Sequence, residues 1–531
     1  MKRISDFMML NLKQIIRSWW FVLLIGSGII IPLAYFFILN TGNGSNIDLP
    51  LFFNCWSIIV SFYFFVLLIC VYAFGKTQKD FFSSFPYSLH KTVGDMLFFL
   101  ILSCIFSLYF LIFGIIHLAV KGVISYIVVK FVVDVYIYIF ISYTVMSLIY
   151  ILLALIISEL LDGFYSYVVL IIVYLLMGPW NSFFSSKNNK LFYILNPDRN
   201  YYFSTPITFS YGFMWNKYFF YHLLSFLFLI FGLFILKVYL MQKRLFNRQK
   251  IFYSLTISFL SILLFVLIGI KSYSMLKDNI YETQVFSEKT TSFKVLKYEI
   301  EADIKNSMKS KVLIELEKTN DKDSKVYFAL DKEFSVSRLL VDRQNYPYQR
   351  KDNLIILKIN KKNKKRFDLY LEYSGKPEYL NQLYSPYFLL NREVILFPAE
   401  VYWYPKLLSN SNGRAYFTIT LNTTFKNIVT NLNVNQKSSS KYTLNGFLDN
   451  VFLYSCKYFV KKHTKNIDII APAILLNLKT SDYLLTDSIQ AISSAYKNMG
   501  RDIKLISIGP YYGVSSRQEL ILKDKILLRS E

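Results

Sequence analysis

The sequence predicts two halves of different fold class: an α-helical polytopic membrane domain of seven spans, then a mostly β domain, of β-sandwich type, outside the membrane. Three observations predict it. Of the 531 residues, 54% are hydrophobic and only 18% are charged, more apolar than a soluble chain of this size. The charges are also segregated, sparse from residue 19 to about 240 and dense after Lys277. Beyond Ser292 the apolar residues change to a period of two.

The spans come first. A bilayer core of about 30 Å needs about 20 apolar residues in a helix. Seven runs qualify, at residues 19–39, 51–74, 96–120, 131–158, 164–180, 218–240 and 251–273. The fifth is short and stops at Gly178-Pro179. Glu159, Asp162 and Gly163 supply the turn before it. The first run is a full span without a small-residue cleavage site, so it does not read as a cleavable signal peptide. Ahead of it, Ile4, Phe7, Met8, Leu12, Ile15 and Ile16 recur at helical spacing. Residues 1–18 thus read as an amphipathic helix on the inner leaflet, or as the start of the first span.

Orientation follows the lysines and arginines of short loops. Lys2, Arg3, Lys13 and Arg17 precede the first span, Lys76, Lys79 and Lys91 lie between the second and third, and Lys243, Arg244, Arg248 and Lys250 lie between the sixth and seventh. Residues 41–50 have none. The N-terminus is therefore expected inside and residues after about 274 outside, a multi-pass arrangement in a bacterial cell membrane. The net charge of +24 has two open readings: a codon composition rich in Lys, Asn, Ile, Phe and Tyr, or attraction to anionic lipid or an acidic partner. The basic residues are diffuse and form no recognition module, which argues against nucleic acid. Cys55, Cys70 and Cys104 fall in spans and Cys456 stands alone in the second half. This supplies no disulfide framework and no zinc spacing.

The loop at 75–96 is the most informative. A short helix at about 79–85 would present Phe81, Phe82 and Phe85 beside Lys79 and Asp80, with Pro86 as its stop. Exposed apolar clusters of this kind dock partners. The six spans of 19–245, the amphipathic start and the stretch SSFPYSLHKTVGDML at 83–97 resemble the permeases of type-2 ATP-binding-cassette (ABC) transporters. In that family the loop is a coupling helix seated in the ATPase. The resemblance implies a separate ABC ATPase chain carrying ATP and Mg, no cofactor in this chain, and a second permease chain that completes the pathway. The Gly75-Lys76-Thr77 tripeptide is not a phosphate loop, because Cys70 stands where that motif needs glycine. Asp134, near the start of the fourth span, is either an intramembrane functional carboxylate or an interfacial one paired with Lys130.

The second half reads as short strands at 293–304, 311–317, 325–331, 335–342, 353–359, 366–373, 392–397, 416–422, 431–434, 452–461 and 467–471. The basic run 361–366 reads as a solvated hairpin turn. Tyr373-Ser374-Gly375, Trp403-Tyr404-Pro405 and NIDIIAP at 466–472 resemble the N-terminal β-domain of zinc aminopeptidases of the aminopeptidase-N type. Residues 476–531 resemble the opening of that family's catalytic domain. The family's His-Glu-x-x-His is absent: the histidines are His90, His117, His222 and His463, no two of them four apart. Tyr402, Trp403 and Tyr404 are candidates for binding an extended peptide, or core residues. The expected function is the permease subunit of an ABC exporter of peptides or amphipathic molecules. A membrane-anchored binding or scaffold protein and the non-catalytic half of a split peptidase are the alternatives.

Overall fold

A computed structural model describes residues 2–31, 33–34, 49–81, 89–120, 125–177, 194–195, 217–242, 248–282, 293–319, 325–359, 364–380, 386–408, 414–438, 440–464, 467–472, 505–509, 519–522 and 525–529. The chain divides into two compact units, with the break between Asp278 and Asn279.

The first unit is helical. Among the described residues it contains α1 (Lys2–Ile16), α2 (Trp19–Ile25) followed by a π-helical turn at Gly26–Ile30, α3 (Leu49–Phe81), α4 (Leu89–Val120), α5 (Tyr126–Leu160), α6 (Phe164–Met177), α7 (Lys217–Gln242) and α8 (Arg248–Asp278). Among the described residues, four stretches are long and apolar enough to cross a membrane: His90–Ile116, Tyr126–Leu160, Phe220–Leu240 and Ile251–Asp278. Phe62–Gln78 and Phe164–Met177 are shorter apolar stretches. At 1.5 Å per residue, the 14 residues of α6 reach only about 21 Å.

Local chemistry sets the boundaries. Ser125 caps α5, its Oγ accepting the Val128 N–H at 3.3 Å. The Ser18 hydroxyl donates to the Ile15 carbonyl at 2.7 Å as α1 ends. Small residues set the approach of helices, as expected where packing rather than the hydrophobic effect joins them. A Cβ on Gly75 would stand 2.4 Å from Ser158 Oγ, so α3 and α5 touch there only because residue 75 is glycine. The Ser258 hydroxyl of α8 donates to the Gly232 carbonyl of α7 at 2.9 Å. On α4, Leu97, Ile101, Ile105, Leu108, Ile112 and Ile116 recur at helical spacing and are all exposed.

The second unit is mostly β. Its largest sheet has eight strands in the order Asn433–Ser438, Lys441–Leu448, Ala415–Thr423, Phe293–Ile304, Met308–Lys318, Arg366–Gly375, Phe334–Val341 and Gln344–Asn345. All neighbours are antiparallel except Phe293–Ile304 and Ala415–Thr423, which run parallel with Ile300 opposite Ile419. Met308–Lys318 buries Met308, Val312, Ile314 and Leu316 and turns Lys309, Lys311 and Leu313 outward, the alternation of a half-buried strand. A five-stranded sheet containing Pro386–Leu390 and Val394–Phe397 and a four-stranded sheet containing Lys325–Ala329 and Leu354–Lys358 share one hydrophobic core with it, which includes Phe334, Phe388, Phe397, Trp403 and Phe417. A separate five-stranded sheet starts from Phe459–Thr464 and Ile467–Pro472 and continues in parallel through Leu505–Gly509 and Lys525–Arg529.

Two expectations change here. The basic run at 361–366 is not a hairpin turn, because Leu354–Lys358 and Arg366–Gly375 belong to different sheets. Residues 361–363 lie outside the described residues, and Lys364 pairs with Asp342 at 2.7 Å. Lys441–Leu448 is a full strand that the sequence reading omits, and it contains Asn445-Gly446, a pair common in turns. Within the sheet, Gly446 serves close approach instead: a Cβ there would meet Leu432 Cδ2 at 2.9 Å.

Candidate functional site

The helical unit gathers polar groups at one set of helix ends. Asn11 of α1 is buried and its Nδ2 donates to Asp95 Oδ1 of α4 at 2.7 Å. One turn further along α1, Gln14 Oε1 accepts a hydrogen bond from Gln78 Nε2 near the end of α3. Lys91, on the first turn of α4, is 4% exposed and lies within electrostatic reach of Asp95, Glu159 and Lys237. Lys237 Nζ of α7 is 2.8 Å from Glu159 Oε1 and donates to the Leu155 carbonyl at 3.1 Å, both on the last turns of α5. Lys76 of α3 pairs with Asp162, just beyond α5. Three ammonium groups (Lys76, Lys91, Lys237) thus meet three carboxylates (Asp95, Glu159, Asp162).

The physical consequence is a brace. Buried hydrogen-bonded charge pairs cost several kcal/mol to break from one side. α3 ends at Phe81 and α4 begins at Leu89, so both flanks of the intervening segment are tied to α1. The cluster has no nucleophile–base pair. Its chemistry is mechanical: moving one helix end disturbs the partners of four others.

The coupling-loop residues fall on and beyond this edge. Lys79, Asp80 and Phe81 form the last turn of α3 rather than a separate helix over 79–85. One contact within α3 and one with α5 account for this. Thr77 Oγ1 bonds back to the Phe74 carbonyl at 2.8 Å, and Gly75 fits against Ser158, so the helix runs through Gly75 without a break. Phe82, Phe85 and Pro86 lie outside the described residues. Asp134 is half-buried on the first turns of α5, apart from the braced helix ends. Sequence reasoning singled out Lys76 and Lys91 as loop charges and Glu159 and Asp162 as a turn. It missed Asn11, Gln14, Gln78, Asp95 and Lys237. The signal for Lys237 was present, as a cation inside an apolar run that requires a carboxylate partner.

In the β unit the structure favours the core alternative for Trp403 and Tyr404. Trp403 and Tyr404 are 1% and 2% exposed. The Trp403 indole N–H donates to the Val451 carbonyl at 2.9 Å, its ring stacks on Phe397 at 5.5 Å, and its carbonyl accepts the Tyr373 hydroxyl at 3.1 Å. Tyr404 packs edge-on against Trp403 and Tyr298, at 5.0 and 5.5 Å. Buried, interlocked rings of this kind are core. Tyr402 is half-buried and its carbonyl accepts the Asp331 N–H at 2.9 Å. None of the three forms an open peptide-binding face.

Beside them lies a buried carboxylate. Asp331 Oδ1 accepts the Glu333 N–H and the Tyr379 hydroxyl, each at 3.0 Å, while Oδ2 has no hydrogen-bond partner. Burial holds the carboxyl above its ordinary range, against those two hydrogen bonds and Lys332, which pull it down. A folded-state pKa above the unfolded one gives a contribution that is complete below the unfolded pKa and lost as pH rises through the folded one. Asp331→Asn keeps the acceptor and removes the titration. Its stability relative to the unmodified protein should therefore rise as the pH climbs above about 4, read by thermal unfolding in detergent. A pH-independent difference would contradict this role for Asp331.

His463 is a surface residue, its Nδ1 2.9 Å from Asp468 Oδ1. Asp468 is held below its ordinary range by Lys461 and then by His463. His222 is buried edge-on against Phe226 at 4.9 Å. Among the described residues, no group of three or more His, Cys, Asp or Glu side chains is placed to hold a metal.

The sequence matches no protein-family model and no curated protein. Solved structures similar to it include a leukotriene A4 hydrolase and an M1 zinc metallopeptidase. Native leukotriene A4 hydrolase from Saccharomyces cerevisiae aligns at 11% identity and a TM-score of 0.34, over 48% of this chain and 44% of that one. The M1 zinc metallopeptidase from Deinococcus radiodurans aligns at 11% identity and a TM-score of 0.31, over 47% of this chain and 63% of that one. The chain therefore spans less than two thirds of either, and the likeness is partial.

Proposed function

We propose that this chain is a membrane-spanning permease subunit of an ABC transporter, exporting peptides or other amphipathic molecules. A separate ATPase, carrying ATP and Mg, docks on residues 76–91, and a second permease chain completes the pathway. The observation that carries this reading is the brace: Asn11–Asp95 and Gln14–Gln78 tie both flanks of that segment to α1. A push on the segment would reach α5 and α7 through Lys91, Glu159 and Lys237. The exposed apolar stripe on α4 supports a lipid setting, because soluble surfaces rarely carry one. The apolar runs support seven spans, and the loop charges support the N-terminus inside and the β unit outside in a bacterial membrane.

The β unit in this reading is a peptidase-like domain turned to guiding or receiving cargo. These 531 residues contain no His-Glu-x-x-His, so the chemistry of a zinc peptidase has no ligand set in this chain. Co-purification with a candidate ATPase tests the proposal. Replacing Phe81, Phe82 and Phe85 together by Asp should abolish both ATPase binding and stimulated hydrolysis. Retention of both would show that the ATPase does not dock on this segment.

A further inference from the structure

A cavity of about 510 Å³ opens between α1, the corner that follows it, and the last turns of α3. Its volume lies in the range of small-molecule sites. Leu10, Ile15, Trp20 and Phe74 make the apolar part of its wall. Lys13 and Arg17, both exposed, stand on its rim, and none of its lining residues is acidic. Among the described residues neither cation has an ion-pair partner, in contrast to Lys76 and Lys237 deeper in the same unit. An apolar slot with two uncompensated cations at its mouth is complementary to an anionic amphiphile.

We infer that this cavity holds one anionic phospholipid, with its phosphate at Lys13 and Arg17 and an acyl chain against Trp20 and Phe74. The inference rests on the membrane reading above, in which α1 lies along the inner leaflet. Basic pockets beside membrane helices on the cytoplasmic side bind anionic headgroups, and the arginine fork matches a phosphate in two hydrogen bonds. A lipid so placed would wedge between α1 and α3, next to the Gln14–Gln78 contact of the brace. It would tie the position of α1 to the composition of the inner leaflet.

The test uses the full chain in phosphatidylcholine vesicles with a trace of spin-labelled phosphatidylglycerol or spin-labelled phosphatidylcholine. The readout is the motionally restricted fraction of each label. The unmodified protein should retain phosphatidylglycerol in preference, and Lys13→Gln with Arg17→Gln should lower that preference about fivefold per residue removed. Thr77→Trp, which obstructs the cavity without changing charge, should lower it as well. Lys243→Gln with Arg244→Gln, an equal loss of charge elsewhere on the same expected side, should change it less than about twofold.

An equal loss in that control pair would assign the preference to diffuse attraction and overturn the inference. Full competition by inorganic phosphate would overturn it in favour of a free-anion site. Restricted lipid without headgroup preference would overturn it and leave the membrane reading standing. No restricted component with either label would overturn the membrane reading, and the inference with it.

Discussion

Truncating Trp403 to alanine should destabilise the β unit by about 3–5 kcal/mol, the range for removing a large aromatic from a packed core. The side chain is 1% exposed and fills the space between Phe397 and Tyr404. Its indole N–H satisfies the Val451 carbonyl, which truncation would leave buried without that donor. Unfolding followed by circular dichroism in detergent, with limited proteolysis of the β unit, measures the loss. A change within about 0.5 kcal/mol, as for an ordinary surface position, would return Trp403 to the peptide-binding role that its burial removes. Trp403→Phe should recover part of the packing and not the hydrogen bond.

The second large effect is expected at Lys237. Lys237→Met should destabilise the helical unit by about 3 kcal/mol, because it removes the ammonium at 2.8 Å from a partly buried carboxylate. The lysine side chain is 5% exposed and that of Glu159 17%. Adding Glu159→Gln to Lys237→Met should restore much of the loss, since the cost lies in the carboxylate rather than in the absent bond. Thermal inactivation of the full chain in detergent reads both variants. A double variant no more stable than the single one would show that Lys237 acts through the Leu155 carbonyl or by packing instead.

The element types of the two halves were legible because periodicity is a local property. The runs at 96–120, 131–158, 218–240 and 251–273 correspond to α4, α5, α7 and α8, since long uninterrupted apolar runs exceed strand length and leave a helix as the local conformation. Phe293–Ile304 has the same ends in the sequence and in the structure, because its alternation stands between clear polar breaks. Boundaries failed where tertiary contacts overrode local signals. α3 runs on to Phe81 because Gly75 packs against Ser158, and Lys441–Leu448 stays extended because Ala415–Thr423 and Asn433–Ser438 pair with it on both sides.

The site was legible only in part. A lysine at 237 announces that it needs a carboxylate, but Glu159 lies 78 residues away, and nothing in a single sequence selects it over Asp134 or Asp162. Trp403 and Tyr404 show the same division. Their side chains would suit a binding face or a core equally, and only the convergence of Phe397, Val451 and Tyr298 on them puts them inside. The sequence alone determined that the first half is helical and apolar, that the second is mostly β, and that these residues hold no zinc-peptidase motif. The tertiary structure alone decided which charges meet, which aromatics are core, and where a cavity opens beside Lys13 and Arg17. The physical reason is that secondary structure answers to neighbours along the chain. Pairing, burial and cavities answer to neighbours in space, whose separation in sequence carries no signal of its own.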